Sequence, residues 1–244
     1  MNLIIDIGNS SIKAAVFDGS AIIELFRWEG WDANRLDELK AKHPHIERAI
    51  VSSVVPIPRS LVKTLKAQAF PTLYLDFRTP LPIGNAYASP RTLGSDRIAA
   101  VVGAWSLQPG RNLLVIDAGT ALTFDFIDST GCYLGGAISP GIHMRLKALH
   151  KFTGKLPLVE ATGDSPLIGT DTDTCIRSGV MQGMADEING KIFQFKAKYP
   201  QLLVFLTGGD SFSFETTIKC RIFADKLLVL KGLNTILAHN DIQR

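Results

Sequence analysis

The sequence has few cysteines and no long apolar run. Its three cysteines, Cys132, Cys175 and Cys220, are odd in number, and none belongs to a C-x-x-C pair. This pattern argues against a disulfide framework or a zinc site and favours a reducing compartment. Asp6 interrupts the apolar start of the chain, which is atypical of a signal peptide, and no stretch approaches the ~18 apolar residues of a membrane span. We therefore expect a cytoplasmic protein that has no membrane partner.

A strong excess of charge of one sign is also missing. Lysine and arginine number 26 against 23 aspartates and glutamates, and no dense basic run occurs. We therefore expect no nucleic-acid partner. With 46% apolar and 20% charged residues, the 244-residue chain has ordinary globular composition, which excludes a disordered protein and allows one large domain or two ordinary ones.

A short segment near the start of the chain recurs in its second half. Residues 3–11 read LIIDIGNSS and residues 114–122 read LVIDAGTAL. In both, apolar residues lead into Asp-x-Gly and then into small residues, so Asp6 and Asp117 occupy matching positions. A glycine after a strand permits a sharp turn and close approach to a ligand. The repeat predicts two related lobes, each with a strand that ends in an Asp-x-Gly hairpin.

These hairpins have the residue types that bind phosphate. Backbone N–H groups around Gly8–Ser11 and Gly119–Ala121 are suited to form anion-binding concavities. Lys13 adds a positive charge. Asp6 is suited to hold a hydrated Mg²⁺, which commonly uses one or two carboxylates together with phosphate oxygens. A purely structural interpretation, in which Asp-x-Gly only ends a strand with a tight turn, stays open for either copy taken alone.

Strands and helices alternate along the chain, which predicts an α/β protein. We expect an N-terminal lobe at residues 1–110 and a C-terminal lobe at 111–244. A stretch rich in proline and glycine, residues 78–97, is expected to be an irregular loop of functional importance. The apolar tail at 227–240 is expected to pack on the second lobe.

The doubled pattern resembles the phosphate motifs of the actin-like and sugar-kinase ATPase fold. The resemblance implies two duplicated actin-like, ribonuclease H-like lobes with the nucleotide site between them. A strand followed by a glycine pair is a third element of that fold, and FLTGGD at 205–210 stands where it is expected.

Further motifs, in their order, are similar to those of the type III pantothenate kinases. They are DIGNSSIK at 6–13, GSDR at 94–97, DAGTALT at 117–123, GGAISPG at 135–141 and a Gly-Thr-Gly pattern across 169–179. The resemblance implies ATP-dependent phosphorylation of the terminal hydroxyl of pantothenate to 4'-phosphopantothenate, the first step toward coenzyme A. It also implies a homodimer, Mg²⁺ with the ATP, and a monovalent cation, K⁺ or NH₄⁺.

Carried over residue by residue, the resemblance implies a complete site. The residues implied for ATP are Asp6, Ile7, Gly8, Asn9, Ser10, Ser11, Ile12, Lys13 and Thr120. Those implied for pantothenate are Tyr87, Gly94, Ser95, Asp96, Arg97 and Thr172, with Asp96 as the proton acceptor. Asp117 is implied as the ligand of the monovalent cation. Asp171 stands before Thr172 where the family usually has asparagine.

The residue types of the GSDR motif also suit phosphoryl transfer, independently of the resemblance. Phosphoryl transfer depends mainly on positioning and charge neutralisation. An aspartate beside the acceptor hydroxyl can orient it and accept its proton, and an adjacent arginine offers a rigid fork of donors to the substrate. The alternative is that Asp96 is a helix N-cap and that Arg97 is a solvated surface residue.

Two further functional hypotheses stay open at this point. The first is a phosphatase of the same superfamily that acts on polyphosphate or guanosine phosphates. The second is a regulator that binds nucleotide and has lost turnover. The GSDR motif with Tyr87 favours the kinase over the phosphatase. The loss of catalysis is argued against by the joint presence of the residues that it would need, which are Asp6, Lys13, Asp96, Arg97 and Asp117.

Overall fold

The computed structural model describes residues 1–32, 34–215 and 217–242. The chain forms two compact units. The first unit contains Met1–Pro109, Gly131–Leu134 and Leu227–Arg244, and the second contains Gly110–Thr130 and Gly135–Lys226. The division into lobes at residues 110 and 111 stays a prediction.

The elements follow in chain order. In the first part of the chain they are β1 (Asn2–Ile7), β2 (Ile12–Asp18), β3 (Ala21–Trp28), α1 (Asn34–Lys42), β4 (Arg48–Ser53), α2 (Arg59–Lys66), β5 (Thr72–Tyr74), β6 (Gly84–Asn85), a 3₁₀ turn (Pro90–Thr92) and α3 (Ser95–Leu107). The remainder comprises β7 (Leu113–Ala118), β8 (Ala121–Ile127), β9 (Cys132–Pro140), α4 (Ile142–Lys151), α5 (Thr172–Lys198), β10 (Leu203–Thr207), α6 (Phe212–Glu215), β11 (Phe223–Ala224) and α7 (Leu228–Ile242).

The first unit is built on a five-stranded sheet with the order β3-β2-β1-β4-β5. β1 to β3 are antiparallel neighbours, whereas β4 and β5 continue the sheet in parallel. Successive side chains of a strand point to opposite faces. Leu3, Ile5 and Ile7 therefore pack with the apolar residues of α1 and α2 in one core cluster. Asn2 and Asp6 belong to the other face of β1.

That second face is covered by the C-terminal helix. Asn2 donates a hydrogen bond to the Asn234 side chain of α7 at 2.6 Å, and α7 also packs along α3. The expectation that the apolar tail would pack on the second lobe is therefore wrong. The tail is apolar because it covers the sheet and α3 of the first unit.

The second unit contains the strand order β11-β10-β7-β8-β9. One face of its sheet packs against α5, whose core residues recur every four positions: Ile176, Val180, Met184, Ile188 and Ile192. This is the apolar stripe expected of a helix on a sheet. Asp117 of β7 is paired with Thr123 of β8, and neither belongs to that core cluster.

The stretch at 78–97 is more regular than expected. Its Gly84 and Ala86 N–H groups donate to the carbonyls of Gly131 and Tyr133, at 2.8 and 2.9 Å, which makes β6 a short parallel neighbour of the start of β9. The prediction of a wholly irregular loop is therefore wrong, because the glycine and proline residues flank a segment that pairs with a strand distant in sequence. Among the helices of the described residues, none is both long and apolar enough to cross a membrane.

Candidate active site

Asp6 lies near the end of β1, between one basic and one hydroxyl side chain. It is paired with Lys13 of β2 in the antiparallel ladder and with Ser52 of β4 in the parallel one. Directly opposed residues of neighbouring strands share a face of the sheet. The three side chains therefore form a row across the sheet. The turn after β1 closes through a hydrogen bond of 3.1 Å from the Gly8 N–H to the Ser11 carbonyl.

The carboxyl group of Asp6 is in a strongly desolvating environment. Its residue is only 7% exposed, and burial raises its pKa from 3.8 to about 6. The positive charge of Lys13 opposes this rise in pKa, and the negative charge of Asp96 adds to it. Within the described chain, Asp6 Oδ1 is buried without a hydrogen-bond partner. An unpaired buried carboxylate oxygen is a hard ligand, so this site fits the Mg²⁺ that accompanies ATP.

The GSDR motif lies at the start of α3 and is tied to the end of β4. The Ser52 hydroxyl donates to Ser95 Oγ at 2.9 Å, and the Ser95 hydroxyl donates to the Ser53 carbonyl at 3.1 Å. These bonds bring Asp96 into the electrostatic environment of Asp6. Ser52 and Ser53 were not selected from the sequence, although a pair of serines that follows three apolar residues at the end of a strand is a usable signal.

The structure contradicts the alternative in which Asp96 is the N-cap of a helix and Arg97 is a solvated surface residue. Gly94 is the N-cap of α3, and Asp96 occupies the second helical position, where it accepts a hydrogen bond of 2.8 Å from the Arg97 N–H. A carboxylate in the first turn is stabilised by the helix dipole. Arg97 is 7% exposed, and its Cζ lies 5.8 Å from the centre of the Tyr87 ring. The structural alternative is therefore wrong for both residues.

Gly94 also determines where the Asp96 side chain can lie. A methyl group on Gly94 would be 2.5 Å from Asp96 Oδ1, which is too close for any side chain. The small residue is therefore needed so that the carboxylate can take its place at the helix start.

A cavity of about 520 Å³ opens beside this helix start. Gly94 and Ser95 form part of its wall, together with residues that follow β4 and β5, including Val55 and Phe77. Mostly apolar walls with a few polar groups are typical of sites for small organic molecules. Gly94 and Ser95, which border this space, directly precede Asp96 in the chain, whereas Asp96, Arg97 and Tyr87 are not among the residues that line it.

The second unit repeats the hairpin at Asp117. The Gly119 N–H donates to the Ala121 carbonyl at 3.1 Å and closes the turn. The start of α4 then reaches this turn, because the Gly141 N–H donates to the Thr120 carbonyl at 3.2 Å. Thr120 itself is exposed.

The glycine pair after β10 packs directly on this hairpin. Gly208 has a φ of 100°, in the region that favours glycine, and a methyl group there would lie 2.5 Å from Asp117 Oδ1 and would overlap the Ala118 carbonyl oxygen. The next residues are held by a hydrogen bond of 2.8 Å from the Asp210 N–H to the same carbonyl. The Asp117 carboxylate and the Ala118 carbonyl both lie against Gly208, and oxygen atoms of these kinds are ligands that alkali cations take.

Thr172 is the first residue of α5 and is exposed. Asp171 before it is the N-cap: its carboxylate accepts the Thr174 N–H at 2.8 Å, while Thr174 Oγ1 accepts the Asp171 N–H at 3.2 Å. These bonds hold the pKa of Asp171 below its ordinary value. Asparagine and aspartate are equally good caps, which explains why aspartate is tolerated here. No hydrogen bond within the described chain joins Thr172 to Asp117 or Thr120.

Comparison with known proteins gives one consistent family. The type III pantothenate kinase family model matches residues 2–194. A type III pantothenate kinase of Bacteroides fragilis is 53% identical, with 99% of each chain covered, and one from Christiangramia forsetii is 43% identical over the whole of both chains.

Solved structures agree with the actin-like fold. A Baf family protein from Campylobacter jejuni has a TM-score of 0.61 and 23% identity, covering 98% of this chain and 99% of that one. The inorganic polyphosphate/ATP-glucomannokinase of an Arthrobacter species has a TM-score of 0.53 and 15% identity over the full length of both. The expected fold of duplicated actin-like lobes is confirmed. With a family model that matches most of its length and relatives that match nearly all of it, the chain belongs to the type III pantothenate kinase family.

Proposed function

We propose that the chain phosphorylates pantothenate with ATP, as its family does, and that Asp96 accepts the proton of the acceptor hydroxyl. The observation that supports this assignment is the link from Ser52 and Ser53 to Ser95, which fixes the start of α3 beside Asp6. The oxygen of the pantothenate hydroxyl attacks the γ-phosphorus of ATP. The bond to the β,γ-bridging oxygen breaks, ADP leaves, and the hydroxyl proton passes to Asp96.

The first hairpin is assigned to the ATP phosphates. Lys13 supplies a cation on the same face as Asp6, and the exposed turn at Asn9 and Ser10 presents backbone N–H groups to an anion. Asp6 would hold Mg²⁺, which neutralises phosphate charge when it is bound. The finer assignment of Ile7, Gly8, Ser11, Ile12 and Thr120 to the nucleotide rests on the family motif.

The start of α3 is assigned to pantothenate. Arg97 is held under Tyr87, so its guanidinium is oriented before substrate arrives, which reduces the entropy lost on binding. Gly94 and Ser95 border the cavity described above, which we assign to part of the acceptor. Thr172 is assigned to the same substrate through the family motif.

Asp117 is assigned to a monovalent cation, K⁺ or NH₄⁺. It matches Asp6 in the repeat, yet the residue that corresponds to Lys13 is Phe124, which is fully buried in the core. The two hairpins therefore differ in sequence at this position, with lysine in the first and phenylalanine in the second. The assignment of the cation to Asp117 rests on the family motif.

A homodimer is proposed for the second unit. Leu167 and Ile168, just before α5, are 84% and 76% exposed, and Phe193 of α5 is 75% exposed. Large apolar side chains at this level of exposure favour burial against a partner. The family is dimeric, so the partner proposed is a second copy. We place the protein in the cytoplasm because none of Cys132, Cys175 and Cys220 forms a disulfide within the described residues.

One assay distinguishes this function from the two alternatives. ADP release is coupled to a spectroscopic readout and measured with and without pantothenate. We expect release that depends on pantothenate. Release without pantothenate would indicate the phosphatase, and no release in folded, nucleotide-binding protein would indicate the regulator. The named relatives give neither alternative any support.

A further inference from the structure

Tyr133 stands outside every motif assigned above, yet its ring lies against a proposed substrate residue. Tyr133 belongs to β9, is 0% exposed, and is among the largest fully buried side chains of the protein. Its ring stacks on that of Tyr87, with a centroid separation of 5.9 Å and an interplanar angle of 29°.

The backbone fixes the same pair of residues. Asn85 of β6 is the ladder partner of Tyr133, and the Ala86 N–H donates to the Tyr133 carbonyl at 2.9 Å. Directly after this, the Asn85 side chain accepts the Tyr87 N–H at 3.0 Å. The segment that carries Tyr87 is therefore held by β9 through both backbone and ring contacts.

The Tyr87 ring also lies close to a cation, the guanidinium of Arg97. Arg97 Cζ lies 5.8 Å from the Tyr87 ring centre, within the range of a cation–π interaction. Arg97 is 7% exposed, whereas Tyr87 is partly exposed. Three side chains are therefore in contact in series. The fully buried ring of Tyr133 stacks on the partly exposed ring of Tyr87, and that ring lies against the buried guanidinium of Arg97 at the start of α3.

We propose that Tyr133 is a positioning residue for pantothenate: by stacking on Tyr87 it holds that ring, and through it the Arg97 guanidinium, in the orientation that binds the acceptor substrate. The inference rests on the proposed function, because it assigns a role toward the same substrate. Aromatic pairs contribute more than their buried area alone, so loss of the stack should weaken pantothenate binding measurably. The ATP hairpin is not part of these contacts, so ATP binding should be preserved.

The test compares Tyr133→Leu, which removes the ring, with Tyr133→Phe, which keeps the ring and removes only the hydroxyl. For the Leu variant we expect the KM for pantothenate to rise about 3- to 10-fold, the scale of one aromatic pair, while the KM for ATP changes less than twofold. The Phe variant should have the wild-type KM for pantothenate. Tyr199→Leu is the matched control, because it removes a ring that stacks on Phe126 at 4.5 Å in the second unit.

A double substitution tests the route through Tyr87. If Tyr133 acts by holding Tyr87, Tyr133→Leu should raise the KM no further once Tyr87→Leu is present. Should Tyr133→Leu fail to fold, Tyr133→Met, whose unbranched side chain adapts to irregular space, is measured in the same way. Folded Leu or Met variants with an unchanged pantothenate KM would overturn the inference. Equal rises in the KM of both substrates, or a Phe variant that behaves like Leu, would also overturn it. Failure of the proposed function looks different, since the wild type would then release no ADP in response to pantothenate.

Discussion

The negative charge of Asp96, at the start of α3, raises the pKa of Asp6, at the end of β1, so the two proposed reaction residues are electrostatically linked within one unit. Two carboxylates that influence each other in this way are stabilised by nearby positive charge. Lys13 supplies one such charge, and the unpaired Oδ1 of Asp6 can bind a further cation. The arrangement fits a reaction in which metal-bound phosphate meets an acceptor beside a general base.

Replacement of Asp96 by asparagine should remove most turnover. Asparagine keeps the shape of the side chain and cannot take the proton, and the usual contribution of a general base is about 10²- to 10⁴-fold in rate. Steady-state kinetics of Asp96→Asn should show this loss in kcat, while circular dichroism and ATP binding are retained. Asp37→Asn, in the exposed first turn of α1, is the control and should keep full activity. Near-normal kcat in folded Asp96→Asn would rule out the assignment.

Replacement of Asp6 by asparagine should stabilise the ligand-free protein at high pH. Because the folded-state pKa of about 6 exceeds the ordinary 3.8, folding takes up a proton between these values, and the free energy of unfolding falls as pH rises from about 4 to 6. Ionised Asp6 thus costs up to about 3 kcal/mol above pH 7. Urea unfolding should show Asp6→Asn more stable by about 1 to 3 kcal/mol at pH 8 and equal to wild type near pH 4.

The same Asp6→Asn variant should be nearly inactive with ATP, because it lacks the carboxylate proposed for Mg²⁺. Asp18→Asn, at the exposed end of β2, is the control and should change neither stability nor activity. A less stable Asp6→Asn protein at pH 8 would contradict the desolvation argument.

Lys13→Ala and Tyr87→Ala should each weaken the apparent binding of a different substrate. Lys13 is the cation in the row of the phosphate hairpin, whereas Tyr87 lies against Arg97 at the proposed acceptor site. We expect Lys13→Ala to raise the KM for ATP and Tyr87→Ala to raise the KM for pantothenate, each by at least about tenfold, the effect of losing ~1.4 kcal/mol of binding. Kinetics with each substrate varied in turn measure both. A rise in the ATP KM alone for both variants would show that the acceptor site is wrongly placed.

Activity should depend on K⁺ or NH₄⁺ through Asp117. The role proposed for Asp117 is to hold this cation through its carboxylate oxygens at the end of β7. In sodium or Tris buffer the wild type should be nearly inactive, and added K⁺ should restore it. Asp117→Asn, which removes the charge, should respond much less to K⁺. Full wild-type activity without K⁺ or NH₄⁺, or an unchanged K⁺ response in the variant, would refute this role.

A charge introduced at the proposed dimer surface should separate the copies. Ile168 is 76% exposed, so Ile168→Lys should cost the isolated chain little and should oppose burial against a second copy. Light scattering at micromolar concentration should show a dimer for wild type and a monomer for the variant. Ile23→Lys, at an exposed position of β3 in the first unit, should remain dimeric. A fully active wild-type monomer would contradict the proposal.

The sequence predicted those features that depend on local patterns. The alternation of strands and helices, and the strands that end in the hairpins at Asp6 and Asp117, follow from apolar periodicity and glycine placement. The serines that tie α3 to β4 and the stack of Tyr133 on Tyr87 were not predicted, because each joins segments about 40 residues apart or more. The prediction for α7 was wrong for the same reason. The apolar residues of this helix show that it packs against something, and only the tertiary fold shows that it packs on the first unit.

The return of α7 to the first unit has a consequence for synthesis on the ribosome. Residues 228–242 cover the face of β1 that carries Asn2 and Asp6, and Asn234 also donates to the Gly19 carbonyl at 2.9 Å. A nascent chain that has emerged through α3 therefore lacks the helix that covers this face of β1, and the apolar side chain of Ile4 stays uncovered there until α7 is made. The unit whose strands are made first is completed by a helix made much later, and a ribosome that stalls before α7 leaves a product whose first strand is covered on one face only.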